Sequence, residues 1–355
     1  MTSRLRRPAT ALAGIAATAL LGVAACGESP QAPTGGDASA TVVVTSTNVW
    51  AGVVKAVGGD AVEVRPILAD AAADPHGYEA KPADAVAFDG ARLAVSNGGG
   101  YDDFFTGLAD AAGGDLRRIV AVEVAEGHAE SAPAEGSPTE DPHAEESHAE
   151  ESHAEDPHAE ESHAEETHAE EPHGEDGHGH DHGANEHIWY DFEAVHAVAE
   201  KVAEDLAAID PANAETFKAN VASFGQGLDG LTEKAKAIGE PGAKVVSTEP
   251  VAAYLLEAAG LVDATPSDFA EAVEEESEPS AAARAATEKL ITDKQVEAVV
   301  FNQQTATPVT EAVKATAERA GVPVVGMTET LPEGVSGYLE WMTTQVDSLA
   351  AAVAK

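Results

Sequence analysis

Short runs of β-branched and aliphatic residues alternate with amphipathic stretches through most of the chain. Thr41–Ser46, Ala61–Leu68, Arg92–Ser96 and Arg118–Val124 have the length and residue types of strands. Val49–Val57 and Asp102–Ala112 fall between them with helical spacing. Farther along, Lys244–Ser247, Ala298–Phe301 and Val322–Val325 repeat the strand pattern, and helices are predicted over Pro250–Ala259, Ser280–Thr292, Thr307–Ala320 and Ser336–Ala354. Such alternation builds parallel sheets flanked by helices, so the chain is predicted to be α/β with two lobes, residues 41–190 and 241–355.

Residues 191–240 are different: they carry two long helical periods. Phe192, Val195, Val198, Val202, Leu206 and Ile209 recur every three or four residues behind Asp191, a good N-cap. Phe217, Val221, Phe224, Leu228, Leu231, Ala235 and Ile238 do the same after Asp210-Pro211, a carboxylate cap followed by proline at the first helical position. A helix of that length reaches about 40 Å, enough to run along both lobes as a rigid strut. Gly225, Gly227 and Gly230 are expected to soften or bend it.

Two stretches have no place in a core. Residues 1–25 place Arg4, Arg6 and Arg7 before an apolar run from Ala9 to Ala25, the pattern of a secretory signal. The run ends Leu21-Gly22-Val23-Ala24-Ala25-Cys26, which resembles a bacterial lipobox. Cys26 is the single cysteine of the chain, so its position points to lipid attachment, with residues 27–40 as a tether. The second stretch, 126–186, holds 21 acidic residues and no Lys or Arg. Within it His143, His148, His153, His158, His163, His168, His173 and His178 recur every five residues, followed by His180 and His182. A five-residue step turns about 140° around a helix and alternates across a strand, so the histidines share no face. High charge without large apolar side chains predicts a solvated, disordered segment.

Imidazole and carboxylate both bind borderline divalent metals. The tract therefore reads as an auxiliary metal collector of many weak sites, raising the supply to a better site nearby. Its capture of metal is expected to fade below about pH 6 as histidine protonates. A net charge of −43 opposes nucleic-acid binding. No phosphate-binding glycine loop occurs, so any transport energy comes from another polypeptide.

Outside the tract, candidate ligands are few. His76, in Asp74-Pro75-His76, follows the second strand; it is either a ligand or an ordinary turn histidine. His187, in N-E-H-I-W-Y-D, is either one more tract residue or a buried ligand at the return to ordered sequence. Glu249 and Glu329 follow strand ends and either bind metal or cap the next helix. Asn302 is a weaker polar candidate, and His196 reads as helix packing or surface. Two neutral histidines with two carboxylates would balance a dication in a closed crevice.

The motifs N-V-W (48–50), D-P-H-G-Y-E (74–79), S-N-G-G-G-Y-D-D (96–103), H-I-W-Y-D (187–191), S-T-E-P (247–250), N-Q-Q-T-A-T-P-V (302–309) and T-E-T-L-P-E-G (328–334) follow one another in order. Together they resemble the TroA-like group, the zinc- and manganese-binding solute-binding lipoproteins of ABC importers. The resemblance implies two α/β lobes joined by one long helix, with metal held between them by His76, His187, Glu249 and Glu329. It implies a lipid-anchored monomer outside the bacterial cell membrane, delivering its ion to a permease with a separate ATPase. Zinc-type members have histidine and manganese-type members glutamate at the position of Glu249, and the fourth position is more often aspartate. The imidazole-rich tract favours Zn2+, with Mn2+ as the alternative. Two other functions compete: a cell-surface zinc buffer or adhesin, and a zinc hydrolase. For the hydrolase, His178-Gly179-His180-Asp181-His182 is one residue short of the metallo-β-lactamase-like motif, and four protein ligands leave no open position for water. The chain is expected not to be an enzyme.

Overall fold

The computed structural model of the protein describes residues 40–71, 75–131, 185–335 and 337–354. Signal, lipobox, Cys26, most of the tether, Asp74 and the tract histidines from His143 to His182 lie outside the described residues.

Two four-stranded parallel sheets are each built from consecutive strand–helix units. The first contains β1 (Thr41–Thr47), β2 (Val62–Leu68), β3 (Ala91–Ser96) and β4 (Arg117–Val120), in the order β2-β1-β3-β4. The second contains β5 (Lys244–Ser247), β6 (Val262–Asp263), β7 (Ala298–Asn302) and β8 (Val324–Met327), in the order β6-β5-β7-β8. Both orders reverse direction beside the first strand. In open parallel sheets that switch point opens a crevice at the carboxyl ends of the strands, which is where Ser96, Ser247 and Asn302 end their strands. The α/β class and the two-sheet layout are those the strand pattern predicts.

Helix α1 (Asn48–Gly58) packs its Val49, Trp50, Val53, Val54 and Val57 face into the core. Helices α4 (Phe192–Ile209) and α5 (Ala214–Lys236) occupy the two periodic segments. Asp191 caps α4 as expected, accepting from the Glu193 and Ala194 amides. The start of α5 differs from prediction. Pro211 sits in a separate 3-10 turn, Pro211–Asn213, and Asp210 binds the Asn213 side chain (2.6 Å) rather than capping the long helix. The glycines of α5 also act otherwise than expected, because the helix is unbroken through them. A Cβ on Gly225 would stand 2.7 Å from His196 Nε2, and one on Gly227 would stand 2.4 Å from Leu339 Cδ1. They let α4 and α10 (Tyr338–Val353) approach closely, and His196 is a packing residue.

One apolar cluster takes in Val43, Trp50 and Leu93 of the first sheet's side together with Val245, Val300, Trp341 and Leu349 of the second. Polar ties reinforce it: the Asn48 side chain binds both the amide and the carbonyl of Leu331, and Tyr338 Oη donates to the Trp189 carbonyl (2.6 Å). A shared core of this kind resists wide hinge opening.

Three predicted boundaries are corrected. The strand expected over Arg118–Val124 ends at Val120, and helix α3 (Ala121–Ser131) begins at once. Residues 126–131, predicted to belong to the disordered tract, are helical. Asn185 and Glu186, at its predicted far end, are held by hydrogen bonds to Pro250 and Asn97. Helices α6 (Ala253–Ala258) and α8 (Ala281–Thr292) lie within predicted segments, but α7 (Ser267–Glu274) was not foreseen. Helix α9 (Pro308–Ala320) has a Thr307–Thr310 capping box and a left-handed Gly321, the start and stop signals its sequence carries.

Candidate metal centre

His76, Glu249 and Glu329 lie beyond the ends of β2, β5 and β8, Asn302 ends β7, and His187 stands just before the 3-10 turn Ile188–Tyr190; all five come to one cleft. Its cavity of about 910 Å3 is lined by His76, His187, Glu249, Glu274, Gln304 and Thr305, among others. His76 is exposed at the mouth, while His187, Glu249, Asn302 and Glu329 are buried. The imidazole rings of His76 and His187 are 6.2 Å apart between centroids, and His76 Nε2 is 3.7 Å from Glu329 Oε2. Two ligand atoms on one tetrahedral zinc ion lie about 3.4 Å apart, given bonds near 2.1 Å. The His76–Glu329 pair needs only a slight tightening to share an ion.

Local sequence explains each placement. Gly98, Gly99 and Gly100 all have positive φ (81°, 67° and 90°), a turn that side chains with a Cβ disfavour. Asp102 holds the turn by accepting from the Asn97 and Gly98 amides (2.6 and 2.9 Å), and burial pushes its carboxyl above the usual range. The turn sets Tyr101 edge-on against His76 (4.9 Å) and at a tilt of 50° against Trp189 (4.6 Å). Across the cleft, Gln304 Nε2 and Thr330 Oγ1 both donate to the Ala71 carbonyl.

His187 is 1% exposed, and its Nδ1 lies 2.6 Å from Asn185 Oδ1, which also accepts from the His187 amide (2.9 Å). An amide oxygen only accepts, so Nδ1 carries the proton and Nε2 keeps its lone pair for a ligand. Burial, helped by His76, lowers the His187 pKa to about 3. The ring is thus neutral and ligand-ready at neutral pH. Asn185 is itself fixed from the second lobe, donating to the Pro250 carbonyl and accepting from Tyr254 Oη (both 2.8 Å).

The acidic side of the cleft is built around Asn302. Its Nδ2 donates to Glu249 Oε2 (2.5 Å) and to Glu329 Oε1 (2.6 Å), while Thr305 Oγ1 reaches both oxygens of Glu249. Gln304 Oε1 accepts from the Glu329 amide (2.5 Å). Charge-assisted bonds of this length hold two buried carboxylates side by side. Glu249 precedes a 3-10 turn, Pro250–Ala252, but makes no side-chain cap to it, so the capping alternative does not describe it. The structure therefore gathers all four sequence-predicted side chains and gives Asn302 a larger part than predicted. Sequence reasoning missed Asn185, Tyr101 and Thr305, and also Glu186 and Glu274. Burial among Glu186, Glu249 and Glu329 raises the Glu274 carboxyl to about 8.

Residues 43–352 match the family described as zinc-uptake complex component A, periplasmic, ZnuA. The chain belongs to this family. It is a family of metal-binding, solute-binding transport components rather than of enzymes. Solved structures share the fold. A periplasmic zinc-binding protein TroA from Treponema pallidum aligns with TM-score 0.62 at 18% identity, over 89% of this chain and 100% of that one. A ZnuA structure aligns with TM-score 0.63 at 22% identity, over 89% and 100%. The solute-binding protein FpvC from Pseudomonas aeruginosa, solved with Mn2+, aligns with TM-score 0.60 at 18% identity, over 89% and 98%. No curated protein matches the chain in sequence. Among the described residues, no helix is long and apolar enough to cross a membrane.

Proposed function

We propose that this protein captures Zn2+ outside the cell and hands it to an ABC permease driven by a separate ATPase, while lipid on Cys26 holds it at the membrane. His76, His187, Glu249 and Glu329 hold the ion. The observation that carries this reading is the convergence of two imidazoles and two buried carboxylates on one cleft, with His76 Nε2 3.7 Å from Glu329 Oε2. Two neutral histidines and two carboxylates cancel the charge of a dication, so the loaded cleft carries no uncompensated charge. The acidic histidine tract gathers the same ion at weak sites and raises its concentration beside the cleft. Only small movements of the cleft loops accompany loading, since both lobes share one core.

Manganese is the second reading, favoured by Glu249, because hard carboxylate ligands suit that ion. Titrating metal-free full-length protein with Zn2+ and Mn2+ against a chelator separates the two. One tight Zn2+ per chain is expected, well above the weak tract sites in affinity and lost by orders of magnitude in His76→Ala. Mn2+ displacing Zn2+ at equal concentration would make this a manganese receptor. An unchanged tight site in His76→Ala would refute the ligand assignment.

A further inference from the structure

Glu186 stands beside the two histidines and outside the four side chains assigned above. One ligating atom from each of His76, Glu186 and His187 lies within 4.8 Å of the other two. Ligand atoms on one zinc ion are about 3.4 Å apart, so modest side-chain rotations bring the three onto one ion. The three also form a gradient from solvent inward, with His76 exposed, Glu186 half-buried and His187 buried.

The backbone of Glu186 is held independently of its carboxylate. Its carbonyl accepts from Asn97 Nδ2 (2.9 Å) and from the Ile188 amide (2.8 Å). A Cβ on Gly99 would lie 3.3 Å from the Glu186 Cβ, so the glycine turn fits closely against this residue. From the opposite lobe, Glu274 at the end of α7 lines the same cavity as the two histidines. Glu249 already accepts from Thr305 and Asn302. An arriving ion therefore meets Glu186 before it can draw Glu249 from those donors.

We propose that Glu186 is a metal-holding residue, forming with His76 and His187 a two-histidine, one-carboxylate site for zinc at the mouth of the cleft, in front of Glu249 and Glu329. The site rests on the assignment of the two histidines under the proposed function. Glu186 resembles one more acid of the tract in sequence, yet its carboxylate belongs to the centre.

The test is zinc competition with a chelator strong enough to strip the tract, on the full-length chain. Glu186→Gln is expected to weaken the tight site by at least about 10–100-fold, the cost of losing even a group that only orients a metal ligand. Glu275→Gln, which removes the same charge from the same cavity rim, should change it by less than about fivefold, as for an exposed charge. Glu186→Asp keeps the charge but shortens the reach, so it should also lose affinity; a pure field effect would leave it intact. X-ray absorption at the zinc edge should show one oxygen neighbour fewer in the Gln variant. An unchanged affinity in Glu186→Gln, or equal losses in Glu186→Gln and Glu275→Gln, would overturn the proposal. If His76→Ala weakens the site while Glu186→Gln does not, Glu186 alone is refuted. If His76→Ala leaves it intact, the histidine assignment fails, and this site with it.

Discussion

Asn302→Ala is the sharpest perturbation of the acidic half of the cleft. Asn302, Glu249 and Glu329 are 3%, 8% and 1% exposed, and one amide nitrogen donates to both carboxylates at 2.5 and 2.6 Å. Each hydrogen bond to a buried charge is worth about 1.5–3 kcal/mol when its donor is removed. Losing both should cost the metal-free protein about 3–6 kcal/mol. That is a large part of a typical stability of about 5–15 kcal/mol. Thr305→Ala removes one donor, to Glu249, and should cost about half as much. Urea unfolding of metal-free protein reads the loss, followed by the fluorescence of Trp50, Trp189 and Trp341, all buried. Zinc at a thousandfold excess over its dissociation constant should restore about 4 kcal/mol to any variant that still binds it. A loss below about 1 kcal/mol in Asn302→Ala, less than one such bond, would refute the view that this amide holds the carboxylates together.

Three further outcomes are expected. His187 has a folded pKa near 3 against about 6.5 unfolded, so its contribution is fully present above pH 6.5 and lost as pH falls toward 3. Between pH 6.5 and 4.5, metal-free wild type should therefore lose about 2 kcal/mol more than His187→Gln; parallel stability curves would count against a neutral buried ring. Deleting residues 132–184 should abolish the weak zinc sites and keep one tight site, measured by equilibrium dialysis. Loss of the tight site would make the tract the main receptor. Cys26→Ser should move the protein from the membrane fraction to the soluble one, and continued membrane retention would argue against a lipid anchor.

Much of the architecture was legible because strands and helices here obey simple periods. The runs Thr41–Ser46 and Ala298–Phe301 had no reading except buried strands, and the seven apolar positions from Phe217 to Ile238 required a long helix. Helices α3 and α7 were hidden for a physical reason. Both are acid-rich at their ends, and α3 runs into the tract without a change in composition, so charge masked the few apolar contacts that hold it. The candidate ligands were visible as histidines and glutamates after strands, whereas the groups that position them were not. Asn185, Asn302 and Thr305 act through hydrogen bonds between segments 50 or more residues apart, which no local pattern encodes. Glu186 was concealed by its neighbours, for nothing in N-E-H separates it from the preceding acids. The glycines of α5 misled for the opposite reason. Composition suggested a bend, but α4 and α10 pack so closely at Gly225 and Gly227 that a missing side chain is the requirement there.

The most direct test is a crystal of zinc-loaded protein, with anomalous scattering measured at the zinc absorption edge. The account predicts one strong peak in the cleft, about 2.0–2.2 Å from His76 Nε2 and His187 Nε2, with carboxylate oxygens drawn from Glu186, Glu249 and Glu329 completing the shell. A peak held only by tract histidines, with those side chains in their metal-free positions, would contradict it.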